Sequence, residues 1–245
     1  MKYDLAYFES HNQPFQIRIG NCTFSENGID IDLNDNGFRI RGVLTYTKSE
    51  LYREIVIDNI MGPFKYIKHL ECNHGLVSMS RYISGTLAIG AKDVLFKQGK
   101  GYMEKDWGKS FPKDYSWIQC NHFNNPDISL FCSVAHIPFG LFSFKGYLCT
   151  LIDKKEYRFA TYIKGKAKTR IHSGNILKVR LTNKNFTLFI HARTEQSAQL
   201  IAPNRKGMKS NIKEGISGIV KIRLYSEGKL LLKDHGTNAG IEIVV

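Results

Sequence analysis

The sequence predicts an all-β protein, a sandwich or barrel built in two units. Apolar and polar residues alternate with period two through short runs such as Phe15–Ile19 and Ile29–Leu33. The run Asn34–Gly37 between two such strands is a strong hairpin signal. About a dozen runs recur at a spacing of roughly 8–12 residues, which is typical of β-sandwiches and barrels. Helical patterns are limited to a turn or two at Ser49–Ile55 and Glu195–Ile201.

The predicted strands cover most of the chain. In the first 110 residues they are Phe15–Ile19, Asn21–Phe24, Ile29–Leu33, Phe38–Tyr46, Val77–Ile89 and Val94–Tyr102. Those that follow are Tyr115–Phe123, Ser129–Ala135, Leu141–Ile152, Tyr157–Ile163, Ile176–Leu181, Thr187–Ala192, Ile216–Tyr225, Lys229–Leu232 and Ile241–Val245. Each predicted strand shows period-two alternation or a high content of β-branched and aromatic residues, and polar turns separate the strands.

Charge divides the chain into two halves. The 245 residues are 42% hydrophobic, which is enough for a large ordered core and excludes a disordered chain. Residues 1–144 hold 15 basic and 15 acidic side chains, whereas residues 145–245 hold 20 and 7 and carry the whole net charge of +13. Together with the tract Tyr115–Pro126, where two β units are expected to meet, this shift predicts an N-terminal unit over residues 1–122 and a basic C-terminal unit over residues 123–245.

The basic half indicates an anionic partner, either nucleic acid, an anionic membrane surface or an acidic ligand, unless it is an ordinary solvated surface. No run of about 18 apolar residues and no secretory pattern is present. The five cysteines include no C-x-x-C pair, so a reduced, cytoplasmic protein is the expectation. We expect peripheral contact with anionic membranes. Without any nucleic-acid-binding motif, nucleic acid is not an expected partner.

The densest group of candidate site residues lies between Gly99 and Phe123. Strand alternation places Tyr102, Glu104 and Asp106 on one side of a strand. Two carboxyls that share a buried site raise each other's pKa, which suits a proton donor. The alternative is a structural corner, in which Asp106 caps a turn and Trp107 fills the core.

A second polar tract runs from His69 to Gly75. As a strand it places Glu71 on one side and His74 on the other, so no complete set of metal ligands shares a face. We therefore predict no metal, and interpret Glu71 and His74 as the rim of a polar pocket, with a hydrogen-bonded core histidine as the alternative. Motifs for phosphate loops, dinucleotide binding and the nucleophile elbow are absent from the sequence, so no cofactor is predicted.

These tracts make the chain resemble a known family. The matching segments are Ile60–Phe64, Glu71–Met79, Gly101–Pro112, Trp117–Phe123 and Tyr157–Tyr162. They resemble the tocopherol cyclase-like family, in particular its bacterial members. The resemblance implies two consecutive lipocalin-like (calycin-type) β-barrel units. It also implies further strands before the point that matches Tyr3, so that the first barrel is expected to be incomplete.

The family's named activity implies an isomerase that closes a chromanol ring on a prenylated benzoquinol, without a redox cofactor. Such chemistry requires a protonated acid, a dry apolar pocket such as a barrel lumen, and aromatic faces for a cation. We take Asp106 as the proton donor, with Glu104 as the alternative. Contacts with a hydrophobic small molecule are expected from Tyr102, Trp107, Tyr115, Trp117, Gln119, Asn121, His122, Glu71 and His74. A non-catalytic lipid- or isoprenoid-binding protein would need the same pocket without the acid.

Overall fold

A computed structural model describes residues 3–48, 60–67, 70–139, 142–204 and 206–245, and it confirms the all-β prediction. Strands β1–β9 are Phe8–Asn12, Phe15–Ile19, Cys22–Ser25, Gly28–Asp35, Phe38–Lys48, Cys72–Ile89, Lys92–Gly108, Tyr115–Cys120 and His122–Phe123. Strands β10–β18 are Ser129–Phe139, Phe142–Asp153, Lys155–Ala160, Gly165–His172, Ile176–Asn183, Phe186–Arg193, Ser197–Asn204, Gly207–Ser226 and Lys229–Val244. Within the described ranges, the helical elements are the 3₁₀ turns Leu5–Tyr7 and Gly62–Tyr66.

One local prediction is wrong. The helical turn expected at Glu195–Ile201 is largely strand, because β16 begins at Ser197 and pairs with β17. The cross-strand hydrogen bonds of that hairpin override a weak local helical pattern. The other helical turn, expected at Ser49–Ile55, lies outside the described residues. None of the described residues belongs to a helix that is long and apolar enough to cross a membrane.

The strands form two antiparallel sheets. The first contains β1 to β7 in chain order, so each strand pairs with its neighbour in sequence. Its predicted hairpin is confirmed: Asn36 and Gly37 both have positive φ, 51° and 86°, and Asp35 pairs with Phe38 across the turn. Positive φ at both central residues is the requirement that Asn-Gly meets in a two-residue hairpin.

The compact units divide the chain differently from the predicted boundary at residues 122 and 123. The first unit holds residues 3–48 and 80–102, and the second holds residues 60–79 and 103–245, with the gaps given above. The reason is that β6 and β7 are long, with 18 and 17 residues, and each contributes to both units. A change of charge along the sequence does not reveal that one pair of strands contributes residues to both units.

The second unit is built on the larger sheet, whose strands follow the order β12-β11-β10-β8-β18-β17-β15-β14-β13. This sheet curls until β12 contacts β14, and Asn183 Nδ2 donates a hydrogen bond to the carbonyl of Arg158 at 3.1 Å. Buried side chains such as Leu151, Leu188 and Val220 fill the interior of this barrel. The expectation of a ligand pocket in a barrel lumen is therefore not met in this unit, because its lumen is a packed core.

Candidate active site

A cavity of about 280 Å³ lies against the outer side of the barrel wall, and all of its lining residues belong to the second unit. Strand alternation explains its position. On β10, Cys132 and Val134 point into the barrel core. Ser133 and Ala135, which alternate with them along the strand, line the cavity. Strands β8, β11 and β18 alternate in the same way, so apolar core lies on one side of the wall and the cavity on the other.

The opposite side of the cavity is formed by Met61, Phe64 and Leu70 and by the ends of β6 and β7. Gly108 ends β7 there with φ of 154°, and a Cβ atom at this position would lie 2.1 Å from the carbonyl oxygen of Glu71. That carbonyl accepts hydrogen bonds from the backbone N–H groups of Lys109 and Ser110, at 2.8 and 3.2 Å. Only glycine permits so close an approach, and this contact fixes the end of β7 beside the start of β6.

His74 lies between two carboxylates at this end of the cavity. Its Nδ1 lies 2.5 Å from Asp106 Oδ1, and its Nε2 lies 3.3 Å from Glu104 Oε2. The imidazole stacks on the buried ring of Phe131, with centroids 4.6 Å apart. Burial lowers the pKa of His74, but the hydrogen bond to Asp106 and the charges of both carboxylates outweigh it and raise the pKa. The cluster therefore favours an imidazolium between two carboxylates.

A second acid–phenol pair faces the same cavity. The hydroxyl of Tyr115 donates a hydrogen bond to Glu242 Oε2 at 2.6 Å. Burial raises the pKa of Glu242 to about 7; the hydrogen bond from Tyr115 opposes this rise, and the charges of Glu214, Glu104 and Asp106 add to it. Burial and Glu242 also raise the pKa of Tyr115. Glu242 is thus a carboxyl that can hold a proton near neutral pH.

Two further contacts complete the polar side. Trp117 pairs with Glu242 across β8 and β18, and its indole Nε1 donates to Glu104 Oε2 at 3.2 Å. Burial and the nearby charges of Asp106 and Glu104 raise the pKa of the Cys72 thiol to about 12. Cys72 is therefore a neutral thiol at physiological pH and is unsuited to act as a nucleophile.

His74, Glu104 and Asp106 offer one imidazole nitrogen and two carboxylate oxygens within 4.8 Å of one another. These are ligand types that bind divalent metals. The trio is, however, already engaged internally, because His74 bonds Asp106 and Trp117 donates to Glu104. A metal ion would have to displace the hydrogen bond between His74 and Asp106.

Comparison with known proteins identifies the family. The tocopherol cyclase-like family matches residues 61–244, which include the whole cavity lining. The chain belongs to this family. Among curated proteins it is similar to a probable chloroplastic tocopherol cyclase from Oryza sativa subsp. japonica, with 25% identity over 161 residues. The match covers 60% of this chain and 34% of the relative, so the matched region spans about a third of that protein's length.

Three solved structures resemble this member of the tocopherol cyclase-like family at low identity. Kievitone hydratase from Nectria haematococca has a TM-score of 0.55 at 12% identity, covering 96% of this chain and 72% of that one. The structure of CghA with Sch210972 has a TM-score of 0.56 at 13% identity, covering 100% of this chain and 73% of that one. A putative AttH from Nitrosomonas europaea has a TM-score of 0.52 at 13% identity, covering 99% of this chain and 74% of that one. These likenesses show the fold alone, in agreement with the predicted lipocalin-like class.

Six of the predicted site residues line the cavity of this family member: Glu71, His74, Glu104, Asp106, Tyr115 and Trp117. As alternation predicts, Glu104 and Asp106 share a side of β7, and both face His74. Sequence reasoning separated Glu71 from His74 by strand face, yet both reach the cavity because Glu71 lies just before β6 begins. His69 lies outside the described residues.

The other five predicted contacts are described residues that lie outside the cavity lining. Tyr102 belongs to the first unit, and the indole of Trp107 is half exposed, with Lys105 Nζ 5.2 Å from its ring. Gln119 and Asn121 are buried elsewhere on the wall, and His122 pairs with Thr237 in β9 and β18. Their roles as substrate contacts stay predictions.

Sequence reasoning missed Glu242. The only signal for it was a single carboxylate within the apolar run Ile241–Val245. A lone carboxylate on the side of a strand that faces away from the core does not by itself indicate a site. Its importance comes from its cross-strand neighbour Trp117 and from Tyr115, both about 125 residues earlier in the chain. Such a pairing is a property of the sheet order, which alternation alone does not determine.

Proposed function

We propose that this cavity closes an oxygen-containing ring on a prenylated phenol or benzoquinol by protonating an alkene, as tocopherol cyclase does. The observation that carries the proposal is Glu242, a carboxyl with a pKa of about 7 at the wall of an apolar cavity. A carboxylic acid that stays protonated near neutral pH is what alkene protonation requires. The kinship with a probable tocopherol cyclase supports this reaction class.

The proposed step balances without any cofactor. The protonated Glu242 carboxyl, which accepts the hydrogen bond of the Tyr115 hydroxyl on one oxygen, gives its proton from the other oxygen to the less substituted alkene carbon, and a tertiary cation forms on the other carbon. The phenolic oxygen of the same substrate attacks that cation, forming the C–O bond. Its O–H proton returns along the same route to Glu242. The product is an isomer of the substrate, and the acid is restored.

The surroundings suit the cationic intermediate. With His74 protonated, the cluster of His74, Glu104 and Asp106 carries a net charge of −1, which favours a developing positive charge nearby. Tyr115 and Trp117 line the same cavity, and aromatic rings stabilise a nearby cation through their quadrupoles. This assigns Asp106 and Glu104 an electrostatic role and makes Glu242 the proton donor we favour.

The test is turnover of a geranylgeranyl- or phytyl-benzoquinol by the purified chain, with the chromanol detected by chromatography. We expect Glu242→Gln to lose about a hundredfold or more of the rate, the usual contribution of a general acid. Glu195→Gln is the matched control, because Glu195 is an exposed carboxylate whose partner is Arg193. Full activity in Glu242→Gln would remove it as the acid.

The second candidate is a non-catalytic carrier of an isoprenoid or other lipid, which the apolar lining of Phe64, Ile137 and Phe144 favours. Native mass spectrometry detects the retained ligand, and chromatography of that ligand separates the two functions. A carrier retains the prenyl-benzoquinol unchanged, and its Glu242→Gln variant binds as the parent does. An enzyme releases an isomer of identical mass whose chromatographic retention differs.

A further inference from the structure

The basic residues of the C-terminal half are concentrated on one outer face of the barrel. Two rows run across the strands from β13 to β18, and cross-strand pairing aligns their members. The first row is Arg170, Lys178, His191, Lys221 and His235. The second row is Lys168, Arg180, Phe189, Arg223 and Lys233. We call these ten residues the cationic face; all ten are exposed.

Among the described residues, no carboxylate forms a salt bridge with the cationic face. Its two rows contain seven lysines and arginines, and none of the seven takes part in the salt bridges found among the described residues. The flanking rows bring no acid either: one is Lys166, Thr182, Thr187, Tyr225 and Leu230, and the other is His172, Ile176, Arg193 and Ile219. Direct cross-strand pairs of like charge, such as Arg170 with Lys178, destabilise a sheet.

The local field is positive enough to affect a neighbour. His191 lies at the centre of the first row, between Lys178 and Lys221. Partial burial and the surrounding positive charges lower its pKa. A surface that concentrates like charge against its own stability is typical of a binding site for a polyanion.

We propose that the cationic face docks the protein onto anionic phospholipid bilayers. A row of five residues on five adjacent strands spans roughly 19 Å at about 4.8 Å per strand, which is broad enough to meet several headgroups at once. Apolar side chains flank the charges: Phe189 is 41% exposed within the second row, and Leu230 beyond it is 46% exposed. Cations that surround exposed apolar groups match the chemistry of an anionic membrane interface.

Nucleic acid fits this face less well. Proteins that bind single strands present free aromatic ring faces on which bases stack. Phe189 is already engaged, because the Arg180 guanidinium lies over its ring at 5.5 Å and the ring of Tyr225 packs against it at 5.8 Å with the two planes nearly perpendicular. The exposed part of Phe189 and the neighbouring Leu230 remain available to the acyl region of a bilayer.

The experiment is flotation of the full chain with vesicles of phosphatidylcholine alone and of phosphatidylcholine mixed with phosphatidylglycerol. We expect recovery with the anionic vesicles only, and its loss at high salt. Lys178→Gln, Lys221→Gln and Arg223→Gln combined should lower the partition coefficient about a hundredfold, as expected for three cations near an anionic surface. The matched control combines Lys92→Gln, Lys97→Gln and Lys209→Gln, which removes the same charge from exposed positions elsewhere and should retain binding.

Several outcomes would overturn the proposal. These are equal recovery with both vesicle types, unchanged binding by the cationic-face variant, an equal loss in the control, or tighter binding to duplex DNA than to anionic vesicles. Glu242→Gln provides a check on independence, because it should float as the parent does. If catalysis fails while flotation is intact, only the proposed reaction is contradicted. If flotation fails while catalysis is intact, only the docking face is contradicted.

Discussion

Two outer regions of one barrel wall differ sharply, although the same core lies behind both. On β8, β10, β11 and β18 the outward side chains line one side of a cavity that also contains the imidazole of β6 and the carboxylates of β7. On β13, β14, β15 and β17 they form the open cationic face. The inward side chains of both regions belong to one hydrophobic core. Alternation thus separates stability from function: one side of each strand holds the fold, and the other is free to carry chemistry or charge.

The largest effect we expect tests this separation directly. Leu188→Ala removes a fully buried side chain on β15 and should lower the free energy of unfolding by about 4 kcal/mol. Phe189→Ala removes a larger but exposed side chain next to it and should cost less than about 1 kcal/mol. Urea unfolding measures both. Similar losses would mean that the outward side contributes to the core, and the two sides would not be separable.

The second effect comes from the cavity region. Glu242 has a pKa raised from 4.5 to about 7, so the folded protein binds its proton more tightly than the unfolded chain does. Stability is therefore greatest below the unfolded pKa and falls as pH rises through the folded pKa, by about 3 kcal/mol in all.

The measurement is urea unfolding of the parent and of Glu242→Gln across that pH range. The difference in unfolding free energy between the two proteins should shift in favour of Glu242→Gln as pH rises. Glu195→Gln, at an exposed position, serves as the control and should follow the parent. A constant difference would contradict the raised pKa and weaken the assignment of the proton donor.

The third effect is smaller and sharpens the roles within the cavity. Asp106→Asn keeps a hydrogen-bonding group beside His74 but removes its charge, so the pKa of His74 should fall and the rate of ring closure should drop about tenfold, equivalent to about 1.4 kcal/mol. A loss as large as that of Glu242→Gln would instead support Asp106 as the proton donor. Asp32→Asn, at a partly exposed partner of Arg39 in the first unit, is the control.

Local patterns predicted most of the strands, though not β1, β13 or β16, and part of this site, and they failed where the outcome depends on distant pairing. The hairpin at Asn36-Gly37 follows from two adjacent residues, and the shared side of Glu104 and Asp106 follows from the pleat. Glu242 could not be found in this way, because it meets Tyr115 only after β18 has paired with β8.

The same limit applies to the cavity and to the cationic face. An apolar strand has two sides, and the sequence does not say which one encloses the core and which one a neighbouring segment covers. The predicted lumen was therefore a reasonable expectation that the packed interior overturned. Likewise the excess of positive charge after residue 145 was visible, but its concentration in two rows depends on the register of β13, β14, β15 and β17.

The smallest expected effect concerns the cationic face, where substitution should raise the free energy of unfolding and not lower it. Replacing Lys178, Lys221 and Arg223 with glutamine removes the like-charge pairs with Arg170 and Lys233 and relieves His191. Each such pair costs a few tenths of a kcal/mol, so the variant should be more stable by about 1 kcal/mol and melt about 3 °C higher at low salt. The gain should shrink as salt screens the charges, and the pKa of His191, followed by NMR, should rise towards its ordinary value. The control with Lys92, Lys97 and Lys209 replaced should show neither change. A destabilised cationic-face variant would mean that these side chains hold the barrel wall together, and the contrast between the two outer regions would then be one of packing and not of function.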